Sequence, residues 1–225
     1  MAAPRVALAV EVRKSVAVIE VARGVHRISG TRVGNAYLVE LDDGLLLVDT
    51  GLSGNARRIL DAMTQLGIAA DDLRTIVLTH WHPDHVGSAA ALRRRTRAKI
   101  AIHERDAAVL AGRERPAKGG QAMAVLDRLF GIGPIDADLL LRDGDRIDGL
   151  EVIGAPGHTA GSIVLRRADG IGFTGDALLG SRHGTIAPPD RRLALDPATA
   201  MRSFEAIQSM ALTRLLPGHG PPLDQ

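Results

Sequence analysis

The run Thr79-His80-Trp81-His82-Pro83-Asp84-His85 places three imidazoles and a carboxylate between positions 80 and 85. Metal binding is the chemistry that best accounts for that density. Histidine is the commonest metal-ligating side chain, and aspartate supplies the hard oxygen that often completes a catalytic site. Alternate residues of an extended segment point the same way, so His80 and His82 can grip one ion while Trp81 faces elsewhere. Asp84 and His85, at the bend beyond Pro83, are placed to reach a second ion. The plainer alternative is a set of surface histidines capping a loop, and the crowding argues against it.

Ligands need not be neighbours in sequence, so acids and histidines at strand ends beside glycine belong to the same search. Pro156-Gly157-His158-Thr159-Ala160-Gly161-Ser162 puts a histidine in a tight turn between two strand-like runs. Phe173-Thr174-Gly175-Asp176 ends a strand with a carboxylate, and Leu216-Pro217-Gly218-His219-Gly220 follows the last strand with a histidine. The glycines let backbone approach something closely, which an ordinary loop would not require. Leu47-Val48-Asp49-Thr50-Gly51 ends a very apolar strand with an acid. Taken singly, His158 reads as a turn histidine and Asp176 or Asp49 as a cap. Beside the first cluster, the coincidence is hard to dismiss.

The elements that must carry these residues follow from hydrophobic pattern. Leu73–Leu78, short and apolar, reads as a buried strand, and Val86–Leu92 as the opening of a helix. The cluster therefore sits in a strand-to-helix loop, held by rigid elements and open to solvent. Earlier runs at Ser15–Val21, Val25–Ser29, Asn35–Leu41 and Leu45–Asp49, broken by turn residues, fit an antiparallel meander. Ser53 or Asn55 is placed to cap a helix over Ala56–Leu66 that ends at Gly67. A strand is expected at Lys99–His103, followed by a helical pattern over Asp106–Phe130. The polar stretch Arg113–Gly120 interrupts that pattern and is a candidate active-site flap. A second β-rich half follows at Leu139–Leu141, Leu150–Ala155, Ile163–Arg167 and Gly172–Thr174. Asp196-Pro197 then starts a helix through about Met210, and Arg214–Leu216 forms a last strand. Two β-rich halves, each followed by helices, predict an α/β (α+β) protein: a sheet-on-sheet sandwich covered by helices. One domain over residues 1–225 suits the length.

Composition removes several classes. Lys+Arg 28 against Asp+Glu 26 supports neither a nucleic-acid binder nor an acidic tail. With no cysteine there is no disulfide, thiolate ligand or cysteine nucleophile. The N-terminal stretch is broken by Arg5, Glu11, Arg13 and Lys14, so it lacks a signal peptide's apolar core. No run is long enough for a membrane span. A cytoplasmic protein without nucleic-acid or membrane partners is the expectation. Aromatics are only 2%, so the core must be built from Leu, Val, Ile and Ala.

The set T-H-x-H-x-D-H at 79–85, G-H-T-x-G-S at 157–162, T-G-D at 174–176 and G-H-G at 218–220, with Asp49-Thr50-Gly51 before them, resembles the metallo-β-lactamase superfamily. The resemblance runs from Asp49 to His219 in the expected order. It implies a four-layer αββα sandwich of two mixed sheets with metals at one edge between them. It also implies that His80, His82 and His158 hold a first metal and that Asp84, His85 and His219 hold a second. Asp176 would bridge the two, and Asp49 would orient a ligand histidine through its other ring nitrogen. Thr159 and Ser162 are expected to brace the turn around His158.

Five neutral imidazoles and two carboxylates around two divalent ions leave a positive surplus, which favours an anionic transition state and acidifies bound water. The implied reaction is attack by a metal-bridging hydroxide on an ester, thioester or lactone carbonyl of a small molecule, with Asp84 or Asp176 orienting the water. Two zinc ions suit a sulfur-free nitrogen and oxygen set; iron or manganese also fits. Oxygen-reducing di-iron members of the superfamily carry glutamate where this chain has His82, which favours hydrolysis. A mononuclear-iron dioxygenase acting on glutathione persulfide shares the core ligands and is the main alternative. A secreted β-lactamase is disfavoured by the N-terminus. A phosphodiesterase or nuclease rests only on Arg93-Arg94-Arg95 with Arg97, which a solvated helix face explains more simply. A metal-stabilised binding module would more usually draw its ligands from close pairs. A glyoxalase II-type thioesterase shares the ligand set, but the C-terminal helical region that helps those enzymes hold glutathione is not expected after His219. Tyr37, the only tyrosine, lies in a strand pattern and is expected in the core, which weakens a tyrosine-assisted lactonase. His183 and Arg182 are candidate pocket residues for an anionic substrate, with the loops at 112–121 and 180–190 around them.

Overall fold

Short apolar runs separated by tight turns build the first sheet. The computed structural model describes residues 16–31, 33–116 and 132–224 of the chain. Strands β1 (Val18–Ala22), β2 (Val25–Ile28), β3 (Tyr37–Leu41) and β4 (Gly44–Val48) pair antiparallel in sequence order. From β4 onward the connections pass through helices, so the pairing turns parallel: β5 (Leu73–Leu78), β6 (Lys99–His103) and β7 (Leu139–Leu141) complete seven strands. In β4 every residue from Leu45 to Val48 is buried, as expected of a central strand covered on both faces.

The second sheet has the order β15-β14-β11-β10-β9-β8. Its members are β8 (Arg146–Ile147), β9 (Leu150–Gly154), β10 (Ile163–Arg166), β11 (Ile171–Gly175), β14 (Arg214–Pro217) and β15 (Leu223–Asp224). Only β11 and β14 pair parallel, so both sheets are mixed. A small hairpin, β12 (Leu179–Gly180) with β13 (Ile186–Ala187), stands apart from them.

Alternation along each strand divides the apolar residues between layers. Tyr37, Leu46, Val48 and Val77 face Val152, Leu165, Phe173 and Leu216 in a core between the sheets. Tyr37 and Phe173 meet edge to face across it, ring centres 5.7 Å apart. Leu45, Leu47, Ile76 and Ile100 point the other way, onto α1 (Ala56–Gln65), α3 (Ala89–Thr96) and α4 (Glu104–Leu110) through Ile59, Leu92 and Leu110. On the far side of the second sheet, Val164 and Leu215 receive Phe204 and Ile207 of α5 (Pro197–Gln208). The result is the αββα order expected from the sequence. Truncating a fully buried member such as Leu46 to alanine is expected to cost about 2–5 kcal/mol.

The element ends show where pattern reading falls short. Asp196 caps α5 as expected, accepting from the backbone N–H groups of Ala198 and Thr199. Asn55 stands at the N-cap position of α1 without a side-chain cap bond, and its amide donates instead to the carbonyl of Thr50 at 3.3 Å. The helix expected from Asp106 begins at Glu104, because the Nδ1 of His103 accepts from the backbone of Arg105 and caps it. Residues 117–130 of that helical pattern, and with them half of the proposed flap, lie outside the described residues. Parallel pairing of β4 with β5 and of β11 with β14 brings four strand C-termini to one edge of the sandwich. Residues 49, 80, 176 and 219 follow those ends.

Candidate metal centre

Asp49 leaves β4 in a left-handed turn, φ 56°, a conformation that aspartate tolerates better than most residues. The turn aims its carboxylate at the next strand end. There it accepts from Thr79, through the backbone N–H and the hydroxyl, both at 2.8 Å. It also takes the Nδ1 proton of His85 at 2.8 Å, in the short helix α2 (Pro83–Val86). With Nδ1 so engaged, His85 presents Nε2 to the interior of the site. Asp49 therefore contacts a histidine through its outer nitrogen, the relation the resemblance implies.

The remaining residues converge on the same spot. His80, His82 and His158 form one group whose candidate ligand atoms lie within 4.8 Å of one another, and Asp84, His85 and His219 form another. Asp176 lies between them. Its Oδ2 is 3.4 Å from His158 and 3.5 Å from His219, and its Oδ1 is 3.3 Å from His85. His158 Nε2 faces His82 Nδ1 at 2.9 Å, and His219 Nε2 faces Asp84 Oδ2 at 3.1 Å. Gly218 is required for the closeness: a Cβ there would stand 2.6 Å from the His85 ring. Trp81 turns its indole into the helix-side core, as strand alternation predicts.

These side chains are poorly satisfied as they stand. Of five buried side-chain polar atoms without a hydrogen-bond partner among the described residues, four are here: His80 Nε2, His85 Nε2, His158 Nδ1 and Asp176 Oδ1. Each such atom costs about 1–3 kcal/mol in an apolar setting. Imidazole nitrogens and carboxylate oxygens gathered this way fit divalent cations, which would satisfy His80 Nε2 and Asp176 Oδ1 directly and His85 Nε2 once its proton is displaced.

Protonation differs between the two groups. Burial, and then the neighbouring imidazoles, hold His80 well below the ordinary histidine value and His82 down to about 3. His158 is lowered by burial too. In the other group burial also opposes charge but loses. Asp176 and Asp49 lift His85 well above the ordinary value, and Asp176 lifts His219 to about 9. The acids respond in kind. Burial would raise Asp84, yet His85 and His219 bring it to about 2, and the same histidines hold Asp176 well below the carboxylate range.

A cleft of about 440 Å³ opens onto His82, Asp84, His158, Asp176 and His219. Its other walls include Val33, Leu52, Leu179 and Leu193, with Asp190 at the rim. Val33 is 55% exposed and Leu193 38%, unusual exposure for large apolar side chains. Val33 also has φ 45°, which a β-branched residue adopts only under strain.

Two candidates from the sequence are not brought here. Arg182 and His183 occupy the exposed turn of the β12–β13 hairpin, tied by Ser181 to Thr185, and that turn projects into solvent rather than into the cleft. Arg94, Arg95 and Arg97 are exposed at the end of α3, where positive charge complements the helix dipole. Tyr37 is buried, as expected, with its hydroxyl donating to the carbonyl of Pro217 at 2.7 Å. Three braces escaped sequence reasoning. Asn35 donates to the carbonyls of Pro217 and Gly220, both at 2.8 Å, and Tyr37 joins it, so together they clamp the loop bearing His219. Asp106 ties down the loops on the opposite side. A polar residue at a strand start or in a helix's first turn carries no local mark of such long-range bonds.

Residues 29–219 match the metallo-beta-lactamase superfamily. The chain is 29% identical over 235 residues to "Probable metallo-hydrolase YflN" of Bacillus subtilis (strain 168), covering 93% of this chain and 89% of that one. It is 38% identical over 120 residues to a hydroxyacylglutathione hydrolase of Cereibacter sphaeroides, covering 51% of this chain but 37% of that protein. Among solved structures, TTHA1623 in a di-iron-bound form superposes with a TM-score of 0.65 at 29% identity, covering 85% of this chain and 89% of that one.

Proposed function

This chain belongs to the metallo-beta-lactamase superfamily, and from that premise we propose that it is a dinuclear metal-dependent hydrolase of a small ester, thioester or lactone. The observation that carries this reading is the convergence of five imidazoles and two carboxylates, with His80 Nε2, His85 Nε2 and Asp176 Oδ1 buried and without hydrogen-bond partners, beside an apolar-walled cleft that His82, Asp84, His158, Asp176 and His219 line. The name borne by the Bacillus relative, a probable metallo-hydrolase, supports the reaction class. Divalent ions, zinc first and iron or manganese next for such a donor set, would lower the pKa of a bound water towards neutrality and polarise a carbonyl oxygen.

The chain's own residues supply the rest. His80, His82 and His158 are kept neutral by burial, so each offers a lone pair without first losing a proton. Asp49 fixes the ring of His85, and Asn35 fixes the backbone around His219. Asp84 stays ionised at neutral pH and borders the cleft, where its carboxylate can orient an attacking water. Asp176 faces both groups and can serve each. Val33, Leu52, Leu179 and Leu193 offer an apolar surface to the part of the substrate beyond the carbonyl and help exclude water.

The test is a panel of lactones, thioesters, β-lactams and phosphodiesters, run on protein loaded with zinc, manganese or iron while oxygen uptake is followed. Hydrolysis of a carbonyl substrate without oxygen uptake is the expected result. The di-iron form of TTHA1623 keeps an iron enzyme in view as a second reading. Oxygen uptake with a persulfide, and no hydrolysis, would favour that reading instead.

A further inference from the structure

We propose that Asp106 is a positioning residue that sets the spacing of the His80, His82 and His158 imidazoles by clamping the two loops that carry them. The inference rests on the reading of these histidines as metal ligands. Asp106 lies in the first turn of α4, on the helix side of the first sheet, and is 1% exposed. Three donors converge on its carboxylate. Oδ2 accepts from the backbone N–H of Trp81 at 3.2 Å and from the hydroxyl of Thr159 at 2.7 Å. Oδ1 accepts from the backbone N–H of Gly161 at 2.7 Å. Trp81 is the residue between His80 and His82, and Thr159 follows His158. One side chain thus joins a loop of the first sheet to a turn of the second.

The surroundings are shaped to admit this contact. A Cβ at position 161 would lie 2.8 Å from the Asp106 carboxylate carbon, so glycine is needed for the backbone donor to reach it. Ser162 accepts from the Thr159 backbone at 2.9 Å and bonds its hydroxyl at 2.8 Å, which leaves the Thr159 proton for Asp106. These three donors are all neutral, and burying a carboxylate on neutral donors is expensive where an apolar side chain would pack as well. A fixed separation between two ligand loops accounts for that expense. The Asp84, His85 and His219 group is braced differently, by Asp49 and Asn35. Loss of Asp106 should therefore be felt by one group alone.

The experiment is calorimetric titration of the metal-free full chain with Zn²⁺, in wild type, Asp106→Asn, Thr159→Val and Thr159→Ser. His82→Ala and His219→Ala assign each binding step to its group. The expected result is a 10–100-fold weaker step for the three-histidine group in Asp106→Asn, the range for lost outer-layer partners, with the other step within about threefold of wild type. Thr159→Val should weaken the same step less, and Thr159→Ser, which keeps the hydroxyl, should restore it. If Asp106→Asn does not fold, the Val and Ser pair decides: equal behaviour of the two overturns the proposal. Both steps unchanged in Asp106→Asn, or both weakened alike, would also overturn it. A wild-type chain that takes up no metal would overturn the metal reading itself.

Discussion

In the His80, His82 and His158 group the imidazoles crowd one another and burial strips their protons, whereas in the Asp84, His85 and His219 group carboxylates hold the protons on. Both are assembled from strand ends and loops of the two sheets, within one cleft, so the difference comes from neighbours rather than from burial alone. In the first group Asp176 is the acid in contact, 3.4 Å from His158, and Asp84 acts only from farther off. The second has Asp176, Asp84 and Asp49 within 3.5 Å of its histidines. A divalent ion entering the first finds lone pairs ready; entering the second it must displace protons from His85 and His219.

The largest effect expected is from removing a ligand on either side. His82→Ala and Asp84→Ala should each lower hydrolysis by roughly 10²–10³-fold with little change in far-ultraviolet circular dichroism. Each variant should retain metal in the opposite group, as read by elemental analysis. Loss of both ions from either single variant would break the division into two groups.

Asp49→Asn should sharpen it. The amide cannot accept at both of its atoms, so His85 or Thr79 loses a partner. Affinity at the Asp84, His85 and His219 group should fall about 10–100-fold, while the three-histidine group is spared. Equal weakening of both would show that Asp49 acts on the fold rather than on His85.

The pH dependence of the metal-free chain follows from the same contrast. His82 titrates at about 3 when folded against 6.5 in its ordinary state, so the unfolded chain binds more protons between those values and stability rises with pH there. His219 is raised to about 9, so its contribution is complete below 6.5 and is lost as pH climbs through 9. Asp106, pushed by burial to about 6 from 3.8, opposes the acid limb but is one group against three histidines. The melting temperature of metal-free protein should therefore peak at about pH 6–7. A midpoint that keeps rising from pH 6 to 9 would contradict the protonated state assigned to His219.

The smallest effect concerns the cleft that both groups share. Each added methylene on the acyl chain of an ester or thioester should raise kcat/KM about fourfold, from about 0.8 kcal/mol per buried methylene, until the apolar wall is filled. Leu193→Ser should flatten that trend without changing metal content.

Much of this architecture was legible from pattern. The runs Leu73–Leu78, Lys99–His103 and Leu139–Leu141 coincide with β5, β6 and β7; β5 and β6 are buried along most of their length, whereas β7 is an edge strand marked by its leucine run although Leu140 is exposed. The six side chains of the two groups, and Asp176 between them, could be picked out because each stands at a strand end beside glycine or in the dense histidine run. Asp106, Asn35 and the buried role of the Tyr37 hydroxyl were not legible, since their partners lie 25 to 185 positions away. Arg182 and His183, by contrast, stand in an exposed turn away from the two groups. Nearness to Asp176 in sequence does not survive the β12–β13 hairpin, which carries them out into solvent.

The most direct measurement is anomalous diffraction from crystals of zinc-loaded protein, collected on both sides of the zinc absorption edge. Two peaks are expected, one among His80, His82 and His158 and one among Asp84, His85 and His219, with Asp176 touching both. A single peak elsewhere on the molecule, or none in protein that still hydrolyses its substrate, would contradict the account.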